Sequence, residues 1–92
     1  MAVILTIDWD SITPEQYDKA TAALNLIADR PKGLQFHAAA FDEAGAHITD
    51  VWDSAEDFQA FAASRLGAAL AAAGVTGMPP MVIRDARNVV TY

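Results

Sequence analysis

The chain has 92 residues and a formal net charge of −6, and 53% of its residues are hydrophobic. This length predicts a single domain covering residues 1–92. The chain has 6 basic residues, scattered from Lys19 to Arg87, against 12 acidic ones. Phosphate backbones and anionic membranes are bound by clustered lysine and arginine. We therefore expect neither nucleic acid nor a membrane surface as a partner.

The absence of cysteine excludes disulfides, thiolate catalysis and cysteine-ligated metals. The apolar N-terminal segment Met1–Leu5 has no basic region, and Asp8 and Asp10 end the apolar run early. It is too short for a signal peptide or a membrane span. These features favour a cytoplasmic protein.

The first half of the chain predicts a strand, a helix and a hairpin. Ala2–Asp8 is typical of a strand. Thr13 and Gln16 form a capping box for a helix that we expect to end near Ala28. Its predicted apolar face consists of Tyr17, Ala20, Leu24, Ile27 and Ala28. The hairpin that follows comprises Leu34–Asp42, the turn Glu43–Gly45 and the strand Ala46–Trp52.

The second half predicts another capped helix and a last strand. Ser54 is the expected N-cap, and the apolar face of the helix comprises Phe58, Phe61, Ala62, Leu66, Ala69, Leu70 and Ala73. Gly67 predicts a break or close packing, because glycine is unfavourable inside a helix. Met81–Val90 is the fourth predicted strand. The order β-α-β-β-α-β is that of an α+β, ferredoxin-like domain.

The strands are apolar on both faces, as Ala2–Ile7, Leu34–Phe41 and Met81–Ile83 show. Antiparallel sheets that expose one face to water normally alternate apolar and polar side chains. A chain of this length supplies one layer of helices, which covers one face of the sheet. We therefore expect the other face to pack against a second copy of the chain in a homodimer.

Two residues that interrupt the hairpin strands are candidates for catalysis, Asp50 and His37. Asp50 is either a general base in a cavity or a structural group paired with Arg84, Arg87 or the partner chain. His37 is either a base or ligand-orienting group, or an interior or interface histidine. With the turn centred on residue 44, Asp50 would share a face of the sheet with Trp52, and His37 would lie on the other.

Three further residues are candidates for ligand binding: Trp52, Asn88 and Phe61. Trp52 is either a core residue or the wall of a pocket for a planar ligand. Asn88 would donate to a ligand carbonyl or pair across a dimer. We expect no metal, because His37 and His47 are the only histidines. They are expected to point to the same side of the hairpin but to lie far apart along it, and they lack metal-binding spacing.

The segment Ile48–Phe61 resembles the strand-to-helix junction of the antibiotic biosynthesis monooxygenase-like superfamily. The shared pattern is an acid (Asp50), one residue, an aromatic (Trp52) and a capped helix. The resemblance implies a dimeric α/β barrel in which two four-stranded sheets face each other with the helices outside. It extends over nearly the whole chain in element order and length.

The superfamily includes cofactor-independent monooxygenases, haem-degrading enzymes and proteins without assigned activity. The haem-degrading branch uses an asparagine on the first strand and a tryptophan and a histidine on the second helix. Haem degradation is not expected here, because the first strand has no asparagine and the matching stretch of the helix reads Phe61, Ala62 and further alanines. The histidine usual on the second helix of the monooxygenases is also replaced, at about Phe61. We expect no cofactor.

Three functions remain open: an enzyme acting on a small aromatic substrate, a noncatalytic small-molecule-binding dimer, and a structural or interaction protein. A ligand pocket of about 300 Å³ with convergent polar groups would favour the first two. If Trp52 and Phe61 fill the space instead, the third is favoured.

Overall fold

The computed structural model describes residues 1–92. The four strands are β1 (Val3–Trp9), β2 (Leu34–Asp42), β3 (Gly45–Trp52) and β4 (Met81–Asp85). They form one antiparallel sheet in the order β2-β3-β1-β4. The predicted ferredoxin-like α+β fold is confirmed. The last strand is shorter than predicted, because Ala86–Tyr92 leaves the sheet.

The first helix, α1 (Pro14–Leu24), begins as its capping box predicts. Gln16 N donates to Thr13 Oγ1 over 3.1 Å, and Thr13 N donates to Gln16 Oε1 over 3.0 Å. The helix ends earlier than predicted, because Asn25 adopts the left-handed conformation with φ 52°. Ile27 therefore lies outside the apolar face and is fully exposed.

The second helical region is continuous and consists of α2 (Ala55–Phe61), a π-helical turn over Ala62–Leu66 and α3 (Gly67–Ala72). The break or close packing predicted at Gly67 is wrong. Gly67 has helical dihedrals, φ −59° and ψ −43°, and a methyl group there would meet nothing nearer than Ala62 O at 4.0 Å. The irregularity lies in the preceding π-helical turn. None of the helices is long and apolar enough to cross a bilayer.

A single hydrophobic core lies between the helices and one face of the sheet. Leu5 of β1 and Trp52 of β3 are fully buried at its centre. The opposite face, here called the open face, carries no helix. Phe36 remains 51% exposed and Val82 43% exposed on this face. The helices therefore cover one face of the sheet, and the open face carries apolar side chains alongside polar ones such as Thr49 and His47.

The β2–β3 register differs from the predicted one by a single residue. The turn has two residues between Asp42 and Gly45, so His37 pairs with Asp50. A one-residue shift moves every side chain of a strand to the other face. The expectation that His37 and Asp50 lie on opposite faces is therefore wrong. A bulge between Leu34 and Phe36 then returns Leu34 to the core side.

Candidate functional site

Four of the five candidate residues line one cavity between the helices and the sheet: His37, Asp50, Trp52 and Phe61. The cavity has a volume of about 70 Å³, and most of its lining is apolar. Asn88 is not among these residues. It lies beside Ile4 and Phe36 at the open face, because the chain leaves the sheet after Asp85.

Asp50 is 7% exposed, and both of its carboxylate oxygens have a partner. Oδ1 lies 2.6 Å from His37 Nδ1, and Oδ2 accepts a hydrogen bond from Trp52 Nε1 over 3.2 Å. The alternative of an ion pair with an arginine is wrong: Arg84 and Arg87 are exposed, and the side chain paired with Asp50 is that of His37. A carboxylate can only accept hydrogen bonds, so Nδ1 of His37 carries a proton.

The other nitrogen of His37 faces a residue of α1. His37 Nε2 lies 2.7 Å from the hydroxyl of Tyr17, and the two rings are parallel within 9°. In the neutral imidazole with a protonated Nδ1, Nε2 accepts a hydrogen bond from the phenol. The result is a continuous chain of hydrogen bonds that joins Trp52, Asp50, His37 and Tyr17.

Burial raises the pKa of Tyr17 above its ordinary value, and the negative charges of Asp50 and Asp18 raise it further. Tyr17 therefore remains a protonated donor at neutral pH. The helical pattern predicts Tyr17 in the apolar face of α1, and Tyr17 is not among the residues predicted for the site. A tyrosine on a buried face needs a partner for its hydroxyl, and the observed register puts His37 on the face of the sheet that α1 covers.

An open groove adjoins the cavity on the outer side of Tyr17 and His37. It has a volume of about 620 Å³ and lies between the C-terminal half of α1, the turn that follows it and the start of β2. Tyr17 and His37 line both spaces. The groove walls also carry the polar residues Asp18, Asn25 and Arg30, the half-buried Leu26 and the exposed Phe36. The Tyr17–His37 pair therefore forms the boundary between an enclosed and an open space.

Trp52 fills most of the interior at the closed end of the site. It is 0% exposed and packs edge-on against Phe58 at 5.5 Å and tilted against Phe61 at 5.3 Å, measured between ring centroids. A cavity of about 150 Å³ can hold benzene, whereas about 70 Å³ remains here. The buried cavity does not accommodate an aromatic ring in this conformation. Trp52 is a core residue whose N–H group positions Asp50.

The second histidine, His47, lies on the opposite face of the sheet from His37, not on the same side as predicted. Its Nδ1 is 2.8 Å from Asp8 Oδ1, and its Nε2 is 2.9 Å from Asp42 Oδ1. These hydrogen bonds raise the pKa of His47. The hydrogen bond from His47 and one from the backbone of Ala44 lower the pKa of Asp42. His47 is separate from the cavity and provides an internal control for experiments on His37.

No protein-family model and no curated protein matches this chain. Among solved structures, a proposed antibiotic biosynthesis monooxygenase from Chloroflexus aurantiacus is similar, with 22% identity and a TM-score of 0.62. The match covers 98% of this chain and 95% of that one.

Two structures from Streptomyces are also similar. A variant of SnoaB, a cofactor-independent oxygenase from Streptomyces nogalater, has 13% identity, covers 99% of this chain and 96% of its own, and gives a TM-score of 0.63. A Streptomyces coelicolor monooxygenase bound to nanaomycin D has 18% identity, covers 99% and 90% respectively, and gives 0.52. These matches confirm the predicted resemblance at the level of the fold.

Proposed function

We propose that this chain is an enzyme of the cofactor-independent monooxygenase type that acts on a small aromatic substrate, with His37 as its general base. The observation that carries this proposal is the hydrogen-bonded chain Trp52–Asp50–His37–Tyr17. A buried carboxylate that holds Nδ1 of a histidine leaves Nε2 as the basic atom and stabilises the imidazolium that forms. The fold shared with a cofactor-independent oxygenase supports this reaction type.

The reaction needs no reductant other than the substrate. A base removes a proton from an aromatic carbon or oxygen acid, and the resulting anion gives its electrons to dioxygen. For a methylene carbon, one dioxygen converts CH₂ to C=O and releases one water, so atoms and electrons balance. In this scheme His37 takes the proton, and Asp50 orients the imidazole and balances its charge.

We place the substrate in the open groove, because its volume of about 620 Å³ is sufficient for an aromatic ring. Apolar side chains such as Leu26 and Ile27 would contact the ring faces. Trp52 and Phe61 would then support the site from behind rather than touch the ligand. Asp50 and Trp52 act on the substrate only through His37.

We further propose that the protein is a homodimer in which the open faces of two sheets pack together. The accessible surface is 5905 Å², whereas a compact monomer of 9.8 kDa should expose about 5,200 Å². The C-terminal segment adds Val90, which is 63% exposed, beside Phe36 at this face. A surplus of surface with exposed apolar groups is typical of an interface.

A different observation favours a second function, that of a noncatalytic binding or structural dimer. Trp52, Phe58 and Phe61 fill the interior, and the cavity of about 70 Å³ is far below the volume of a small-molecule pocket. In this case the chain Trp52–Asp50–His37–Tyr17 serves only to satisfy buried polar groups.

Oxygen consumption with anthrone, an aromatic carbon acid that is oxidised to anthraquinone, tests the proposed reaction. We expect His37→Ala and Asp50→Asn each to lower kcat by about 100- to 10,000-fold, since each removes the oriented base. His47→Ala is the matched control and should retain the activity, because His47 lies on the other face of the sheet.

The wild-type protein and the variants together separate the two functions. Oxygen uptake at the rate of buffer alone, together with a rise in Tm on adding anthrone, would support noncatalytic binding and contradict the enzyme. Undiminished uptake by His37→Ala would contradict the assignment of His37 as the base.

A further inference from the structure

His37 has no free nitrogen through which to reach a substrate. Its Nδ1 is bound to Asp50 Oδ1 at 2.6 Å, and its Nε2 is bound to the Tyr17 hydroxyl at 2.7 Å. A molecule in the groove therefore meets the base through Tyr17, unless Tyr17 first moves away. Tyr17 lines the groove as well as the cavity, so its ring borders both spaces.

The Tyr17 hydroxyl can give and receive a proton at the same time. A hydroxyl has one O–H donor and two acceptor lone pairs, and the donor of Tyr17 is directed at His37 Nε2. His37 is the one protein group that bonds the phenol oxygen. The lone pairs of that oxygen are thus available to a group in the groove.

We infer that Tyr17 is a catalytic residue whose hydroxyl carries the substrate's proton from the groove to His37; this inference rests on the proposed function. The proton of the substrate moves to Tyr17 Oη while the proton of Tyr17 moves to His37 Nε2. The products are the substrate anion, a neutral Tyr17 and an imidazolium beside the Asp50 carboxylate. Charge and protons balance, and Tyr17 is regenerated when the imidazolium loses its extra proton.

The surroundings of Tyr17 favour transfer in place over displacement of the ring. Tyr17 N donates to Thr13 O over 2.9 Å at the capped end of α1, and the Tyr17 ring packs edge-on against Phe41 at 5.8 Å between centroids. The raised pKa of Tyr17 is consistent with a concerted transfer, since a free tyrosinate is disfavoured there.

The groove wall beyond Tyr17 is also fixed by a contact from the second helical region. Arg65, in the π-helical turn, donates to Leu24 O over 2.6 Å and to Asp29 O over 3.0 Å. These bonds hold both ends of the turn that follows α1, which includes Asn25 and Leu26 of the groove lining. A substrate would therefore bind beside a Tyr17 that stays in position.

The substitution Tyr17→Phe tests this inference, because it keeps the ring and removes only the hydroxyl. We expect kcat with anthrone to fall by about 100-fold or more, with little change in KM. Tyr92→Phe is the matched control, because Tyr92 is the other tyrosine and is fully exposed. A rate that is unchanged or faster in Tyr17→Phe would overturn the inference and show that Tyr17 only covers His37.

A comparison of rates in H₂O and D₂O adds a readout that a structural role would not affect. The hydroxyl proton of Tyr17 exchanges with solvent rapidly, whereas the carbon-bound protons of freshly added anthrone exchange much more slowly. Wild-type turnover should therefore slow in D₂O, and the residual turnover of Tyr17→Phe should not. Equal isotope effects in both proteins would contradict the relay.

The failure of this inference is distinguishable from that of the proposed function. An inactive His37→Ala with a fully active Tyr17→Phe would leave His37 as the base and remove the relay. A fully active His37→Ala would contradict both proposals.

Discussion

Replacing Trp52 by alanine should lower the free energy of unfolding by about 3–5 kcal/mol. Trp52 is 0% exposed, and its ring contacts Phe58 and Phe61. Removing the indole leaves a large void between the sheet and the helices and takes the Nε1 donor from Asp50. Chemical denaturation followed by far-ultraviolet circular dichroism measures this loss.

The variant Trp52→Phe separates the hydrogen bond from the packing. It retains an aromatic ring but leaves Asp50 Oδ2 without its donor, which costs about 1–3 kcal/mol for a buried polar group. Trp9→Phe is the control, because Trp9 is also buried, at 8% exposure, but contributes nothing to Asp50. If both tryptophan-to-phenylalanine variants lose the same stability, the bond to Asp50 is energetically unimportant.

Placing a carboxylate at Val51 should convert the proposed dimer to a monomer. Val51 lies on the open face at the centre of its apolar patch, paired with Ile4 of β1 and Phe36 of β2. In Val51→Glu, association would bury two unpaired charges, which is strongly unfavourable. Sedimentation equilibrium at micromolar concentration should give the mass of two chains for the wild type and of one chain for the variant.

Ala39→Glu is the matched control for this effect. Ala39 is an exposed residue of the edge strand β2, and it pairs with the buried Ile48, so it points away from the open face. The same charge at that position should leave the dimer intact. A wild-type mass of a single chain, or dissociation by both variants alike, would contradict an interface at the open face.

Residues with strong local signals made most of the fold predictable. Thr13 and Gln16 form the capping box that the sequence predicts, and Ser54 caps the second helical region as expected. These caps depend on neighbours within a few residues in the chain. By contrast, the left-handed Asn25 that shortens α1 was harder to predict, because many residue types can end a helix.

The composition of the candidate site depended on a register that the sequence leaves open. The segment Glu43–Gly45 allows either a three-residue turn centred on Ala44 or a two-residue turn of Glu43 and Ala44. The structure has the two-residue turn, and Gly45 adopts its positive φ of 113° within the strand. The choice decides whether His37 faces Asp50 or the open side. The role of Tyr17 followed only from that register.

The most direct test of the central claim, that Nε2 of His37 is the base, is the tautomer of His37 in solution. Two-dimensional ¹H–¹⁵N correlation of the imidazole nitrogens at neutral pH reports which nitrogen carries the proton, and His47→Ala identifies the signals of the other histidine. We predict that the proton of the neutral ring lies on Nδ1, with Nε2 accepting from Tyr17, and that this preference is lost in Asp50→Asn. A neutral ring with its proton on Nε2 would contradict the proposed base.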